Sequence, residues 1–301
     1  MDDAAGHTAQ PANTAQPANT AQPANTAPVD CTGRAVIVTG GTRGIGRGIA
    51  EAFLAAGADV LVCGRNEPGR VPEAGGRRAV FAAADVRDPA QAATVTQAAV
   101  DAFGRLDVLV NNAGGSPNAD AATVSSRFVE RIVALNLLAP FYVSQPANAV
   151  MQQQDGGGSI INIGSVSAHQ AAPLSAAYSA AKAGLVQLTR SLALEWAPKV
   201  RVNHITGGLV MTETAAQFYG PDGGAAVAAT IPMGRMAQPS DIASACLFLS
   251  SPLAAYVTGA DLAVHGGGEV PARYLAAKAD AEPGEVRRTW PLPEPGRDPS
   301  R

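Results

Sequence analysis

From residue 34 onward, short apolar runs alternate with longer segments whose apolar positions recur at helical spacing. The run Ala35-Val36-Ile37-Val38-Thr39 is apolar without alternation, the pattern of a strand covered on both faces of a parallel sheet. A helix over residues 44–56, closed by Gly57, and a second strand over 58–63 follow. The same reading predicts strands at 79–83, 108–111, 159–163, 201–205 and 261–264. It predicts helices at 89–103, 125–153, 176–196 and 241–250, the first with Pro89 in its first turn. Strands and helices in this alternation imply an α/β fold: a doubly wound parallel sheet with helices on both faces, one domain over about residues 31–270.

Some segments resist that scheme. Residues 66–78 carry Pro68, Gly69, Pro72, Gly75 and Gly76 where a crossover helix would normally lie, so a loop or single turn is expected. Pro140 and Pro146 interrupt the helix at 125–153; an interior proline costs about 3 kcal/mol, and a kink near one of them is expected. The ends differ in kind from the middle. Ala-Gln-Pro-Ala-Asn-Thr occurs three times in succession, at 9–14, 15–20 and 21–26, and is too small and polar to bury a core. Residues 1–30 therefore read as a disordered tail, and residues 271–301, with six prolines and many charges, as a Pro-rich second tail.

The 301 residues are 47% hydrophobic and 16% charged, ample for a buried core. A formal net charge of -3 with scattered Lys and Arg argues against a nucleic-acid partner. No run approaches the ~18 apolar residues of a membrane span, and the N-terminus lacks the basic start and apolar run of a targeting peptide. Cys31, Cys63 and Cys246 are odd in number and widely spaced, so neither a disulfide framework nor a zinc site is expected, and a cytoplasmic location fits. His7, His169, His204 and His265 are equally dispersed, and no metal is expected.

Two groups of residues carry chemistry. In Thr39-Gly40-Gly41-Thr42-Arg43-Gly44-Ile45-Gly46, glycines between a strand and a helix permit a tight turn, close approach of a pyrophosphate and helix–strand packing. The helix N-terminus then offers free N–H groups to phosphates. Tyr178 and Lys182 project from the same face of a helix at i, i+4. A free phenol titrates near 10, and a nearby ammonium is expected to move it toward working pH. Ser165 lies just past the strand at 159–163.

Together with Asn111-Asn112-Ala113-Gly114, these motifs resemble the short-chain dehydrogenase/reductase superfamily, in its compact single-domain Rossmann-type branch, over about residues 33–270. The likeness extends to the 3-oxoacyl-carrier-protein reductases within it. The resemblance implies hydride transfer between a nicotinamide and a carbonyl or alcohol, with Tyr178 as general acid and base. It implies that Lys182 holds the nicotinamide ribose and lowers the phenol pKa, that Ser165 orients the carbonyl, and that Asn136 anchors a water relaying protons to the lysine. Gly40, Thr42, Arg43, Gly44, Ile45 and Gly46 would cradle the pyrophosphate; Asp85 and Val86 would meet the adenine; Asn112, Ala113 and Gly114 would lie beside its ribose. Gly208, Val210 and Thr212 belong to a segment resembling the one that closes over the nicotinamide; there the family usually has Pro-Gly, and this chain has Gly207-Gly208.

The second strand ends Cys63-Gly64-Arg65-Asn66, with no acid before Glu67 to hold a ribose 2′-OH. Arg65, flanked by Arg43, is placed to face a 2′-phosphate, the other reading being that both arginines are solvated. NADP(H) is therefore favoured, with NAD(H) as the alternative. Residues 213–236 take the place of a substrate lid, with Ala215, Ala216, Phe218, Tyr219 and residues 225–229, and with Gly220, Gly223 and Gly224 as hinges. His169, Gln170 and Leu174 would form the facing wall, His169 either bonding substrate or sitting at the rim. Without an Arg or Lys cluster there, a small neutral ketone or secondary alcohol fits. The resemblance further implies a homotetramer, or a dimer, through the helices at 125–153 and 176–196. A non-catalytic NADP(H)-binding sensor, and a scaffold working through its tails, are the rival classes.

Overall fold

The computed structural model describes residues 29–215, 219 and 224–269. Residues 1–28 of the expected N-terminal tail, the whole C-terminal tail, and Ala216, Phe218, Gly220 and Gly223 of the expected lid lie outside the described residues, whereas Val29 packs against the core. Seven parallel strands form one sheet in the order β5-β2-β1-β6-β7-β8-β9. They are β1 (Ala35–Thr39), β2 (Asp59–Gly64), β5 (Val80–Ala83), β6 (Val108–Asn111), β7 (Gly158–Ile163), β8 (Val200–Gly207) and β9 (Asp261–Val264). The order reverses between β1 and β6, where open α/β sheets part at the carboxyl ends of their strands and leave a crevice.

Each strand feeds two cores. Val36 and Val38 of β1 and Ile205 of β8 pack under α1 (Gly44–Ala55) and α6 (Pro239–Ser250), against Ile49, Phe53, Ile242 and Leu249. Ile37 of β1 and Val202 of β8 face the other way, onto α2 (Pro89–Phe103), α4 (Ala139–Gln153) and α5 (Ala176–Trp196), through Val95, Val143, Met151 and Leu192. Burial on both faces is why these strands read as unbroken apolar runs. Fully burying one such side chain stabilises the fold by about 2 kcal/mol. Cys31, Cys63 and Cys246 are buried and free, and burial pushes the Cys63 thiol up to about 12.

Two expectations need correction. Within residues 66–78 the chain forms a small antiparallel hairpin, β3 (Glu73–Ala74) with β4 (Arg77–Arg78), turning through Gly75 and Gly76 at φ 57 and 73. Two successive positive φ values are what such a two-residue turn requires. The single helix expected at 125–153 is instead α3 (Ser126–Val133), a π-turn (Ala134–Leu138) and α4, the π-turn ending beside Pro140. The Ala139 N–H bonds to Ala134 O, five residues back. Pro140 follows at once and has no N–H to offer Asn136 O, so the wider turn ends where an ordinary helical bond would be lost anyway. Pro146 sits within α4 without ending it.

Candidate active site

The crevice begins at Thr39, the last residue of β1. Its hydroxyl accepts the N–H groups of Asn112 and Ala113, each at 3.0 Å. Asn112 Nδ2 donates to Thr39 O at 2.9 Å and Gly40 O at 3.2 Å. Asn112 therefore ties the end of β6 to the glycine turn. Gly40 and Gly44 hold φ 63 and 53, the left-handed region that favours glycine. At Gly46 a Cβ would collide with Gly40 O and the Asn112 amide. Ile45 is half-buried, its side chain packed against the core beneath α1.

The N-terminus of α1 is open to an anion. Arg43 precedes it in extended conformation, and its side chain makes no capping bond. The Gly44 N–H instead donates to the Glu213 carboxylate, 3.1 Å to Oε2. A carboxylate on the first amides of a helix meets the same partial positive charge that would receive a phosphate. The cradle thus fits a dinucleotide pyrophosphate: two glycines in left-handed conformation, a third admitting no side chain, and a helix end already bound to an acid.

At the far end of the crevice, Asp85 is not free. Arg87 Nε lies 2.9 Å from its Oδ1, and the guanidinium also holds Oδ2. That hydrogen bonding keeps the Asp85 carboxyl below its ordinary value. The expected adenine partner is thus an Asp85–Arg87 pair beside an open depression of about 600 Å³, also lined by Gln91, Glu130 and Arg131. None of Ser165, Tyr178 and Lys182 lines it. Val86 is buried behind the pair. Arg43 and Arg65 are exposed, and neither forms an ion pair among the described residues.

The other group assembles where β7 meets α5. Ser165 precedes the short 3-10 turn Val166–Ala168, and its Oγ accepts the Ser167 N–H at 3.2 Å. The Ser165 hydroxyl also stands near the phenol of Tyr178, in the first turn of α5, and favours its ionised form. Lys182 is buried, and its Nζ donates to Ile163 O at 2.8 Å. Burial lowers the lysine to about 8. Burial also raises the Tyr178 phenol above its ordinary 10, outweighing the opposing influence of the Ser165 hydroxyl. This reverses the direction expected from the spacing alone. The ammonium lies over the ring, 5.8 Å from its centroid, and is engaged with the end of β7.

Asn136 occupies the π-turn and is fully buried. Its Oδ1 accepts the Gly115 N–H at 2.9 Å, and its Nδ2 donates to Gly115 O and Ile132 O at 3.0 Å each. Gly114 lets these parts meet: a Cβ there would stand 2.9 Å from Asn136 Oδ1 and 3.3 Å from Lys182 Nζ. On the nicotinamide-side segment, Val210 is buried and Thr212 Cγ2 would lie 3.5 Å from a Cβ on Gly44. Gly208 passes so close to His265 that a Cβ would lie 2.8 Å from its Cα. His169 is exposed and is held by Thr206 and Asp261. Glu213, Arg87, His204 and Asp261 are the residues that sequence patterns did not single out.

A doubly wound sheet with a glycine cradle at its switch point and Ser165, Tyr178 and Lys182 beside it defines a dinucleotide-dependent oxidoreductase. A family described as Enoyl-(Acyl carrier protein) reductase matches residues 40–269. The chain is 39% identical over 240 residues to an uncharacterized oxidoreductase of Mycobacterium tuberculosis, covering 78% of this chain and 91% of that one. It is 37% identical over 241 residues to the D-threitol dehydrogenase of Mycolicibacterium smegmatis, covering 78% and 92%. The ligand-free aldohexose dehydrogenase of Thermoplasma acidophilum superposes with a TM-score of 0.72 at 30% identity, covering 84% of this chain and 97% of that one. The chain belongs to the short-chain dehydrogenase/reductase superfamily and is an oxidoreductase, of the NAD(P)-using kind.

Proposed function

We propose that the protein is an NADP(H)-dependent oxidoreductase that interconverts a secondary alcohol and its ketone, with Tyr178 as general acid and base. The observation that carries this is the meeting of Ser165, Tyr178 and buried Lys182 at the end of β7. When bound, the nicotinamide supplies or accepts the hydride. Ser165 orients the carbonyl oxygen, and Tyr178 gives it a proton in reduction or takes one in oxidation. A raised phenol pKa suits the acid role, since Tyr178 then keeps its proton at neutral pH. Lys182 Nζ has two further hydrogens to donate, to a ribose hydroxyl and along the path toward Asn136.

Arg65, with Arg43, supports the 2′-phosphate: both are exposed, at the end of β2 and at the start of α1. The relatives named for D-threitol and an aldohexose make hydroxyl-rich alcohols the first substrates to test. Gln170 and Glu269, 3.5 Å apart beyond His169, give this side polar groups for such hydroxyls. The reading includes a homotetramer or dimer through α3–α4 and α5, where Leu194 is 85% exposed, a cytoplasmic location, and tails at 1–30 and 271–301 outside the catalytic core. Binding of NADPH and NADH, followed by nicotinamide absorbance with a panel of polyols, sugars and simple ketones, tests the reading. Tight NADPH binding with turnover, lost in Tyr178→Phe while binding persists, is expected. Binding of neither nucleotide would overturn it.

A further inference from the structure

Three side chains converge on the carboxylate of Asp261, the first residue of β9. Its Oδ1 accepts the Thr206 hydroxyl at 2.7 Å and His204 Nδ1 at 2.7 Å; its Oδ2 lies 2.8 Å from His169 Nε2. His169 Nε2 also lies 3.0 Å from the Thr206 hydroxyl. An ionised carboxylate has only lone pairs to offer, so each ring nitrogen facing it carries a proton. Burial opposes the charge, but the bonds from His204 and Thr206 and the proximity of both histidines prevail, holding this carboxyl at about 2.

The two imidazoles bracket Ser165. His204 is fully buried, and its Nε2 has no hydrogen-bond partner among the described residues. The ring edge that carries Nε2 rests against Gly164, where a Cβ would collide with it. The Gly164 N–H donates to Ile205 O at 2.7 Å, and the preceding carbonyl, Ile163 O, accepts Lys182 Nζ. Beyond the serine, His169 ends the turn that Ser165 begins, its N–H bonded to Val166 O. The backbone presenting Ser165 is thus pinned ahead of the serine by His204 and Lys182, and after it by His169. Asp261 orients both histidines.

We propose that Asp261 is a positioning residue of the active site: through His204 and His169 it sets where the Ser165 hydroxyl meets Tyr178. This rests on the assignment of Ser165 and Tyr178 in the reading above. It concerns residues on three separate elements, none of which belongs to the glycine turn or to the Tyr-x-x-x-Lys pair.

The test needs no substrate. The full chain is labelled with 13C at tyrosine Cζ, whose resonance reports hydrogen bonding of the phenol, and the Tyr178 line is assigned by its loss in Tyr178→Phe. Ser165→Ala gives the position of that line without the serine. Asp261→Asn keeps the shape and one acceptor but turns amide hydrogens toward His169, so the hold on the turn opens. The Tyr178 line is expected to move toward its Ser165→Ala position, with NADPH binding and Tm retained. A line that stays in place in Asp261→Asn while moving in Ser165→Ala overturns the proposal. A line unmoved in both removes the Ser165–Tyr178 contact, and the active-site assignment falls first.

A second pair of variants covers loss of folding in Asp261→Asn. Gly164→Ala should displace the line because its methyl meets the His204 ring, and should displace it much less in a His204→Ala background. Such non-additivity is the signature of direct contact. Equal displacement in both backgrounds would also overturn the proposal.

Discussion

Lys182 Nζ stands 5.8 Å from the centroid of the Tyr178 ring and 2.8 Å from Ile163 O. The ammonium therefore lies over the face of the phenol and is tied to the strand that carries the serine. A cation over an aromatic face gains modest attraction, whereas burial of the charge costs more, and the lysine falls to about 8 from 10.5.

That shift sets a pH dependence with a definite sign. Between about pH 8 and 10.5 the unfolded chain keeps the Lys182 proton while the folded chain has released it. Stability contributed by this group therefore rises with pH across that window. The unfolding free energy of the wild type relative to Lys182→Met should increase by on the order of 3 kcal/mol from one end to the other. Denaturant titrations at four or five pH values measure it, and a flat difference would count against a buried ammonium.

Replacing Arg65 with Asp should move the preference from NADP(H) toward NAD(H). A carboxylate at the end of β2 repels a 2′-phosphate and accepts a ribose 2′-OH. The ratio of kcat/KM values for the two nucleotides is the readout. No change in that ratio would remove Arg65 from the cofactor site.

Glu213 competes with the cofactor for the Gly44 N–H. Glu213→Gln removes an anion from the start of α1, an interaction worth about 0.3–1 kcal/mol at a helix N-terminus. NADPH should bind up to about fivefold more tightly, because less must be displaced. Fluorescence titration of NADPH decides this. Weaker binding in the variant would mean that Glu213 assists the cofactor instead.

Gly207 stands where the family usually has proline, yet nothing here demands glycine. Its φ lies outside the left-handed region, and a Cβ would meet its nearest neighbours, Gly164 O and Ile242 Cδ1, at 3.6 Å. Gly207→Ala should stabilise the fold by about 0.4–1 kcal/mol by restricting the unfolded chain. A higher Tm with unchanged NADPH binding is the expected result.

The sequence patterns carried the buried strands and the long helices furthest. The bounds predicted for β1, α2, β6, α5 and β9 coincide with those observed, because each is a dense apolar run or a periodic segment with clear punctuation. The hairpin at β3 and β4 escaped, since two-residue strands have no period to read and only Gly75-Gly76 hinted at a turn. Asn136 was identified by resemblance, but its bonds to Gly115 join residues 21 apart, which no local pattern contains. Asp261 was missed for a similar reason: it meets His204 only through the register of β8 and β9. An acid opening a strand and a histidine inside an apolar run were the available signals, and neither names the other. The phenol direction was misjudged because spacing reports which groups are near but not how much water they lose.

A π-turn is what a helix becomes when it accommodates one residue more than its ends allow. Deleting one position within Ala134–Leu138 would restore ordinary winding while keeping α4 in phase with α3, so Val143 and Met151 would hold their core positions. What would be lost is the widened turn that carries the Asn136 amide to Gly115. The spatial address of this asparagine is therefore stored in a residue count, and a gap placed inside this stretch of an alignment marks loss of the widened turn rather than a shift of α4.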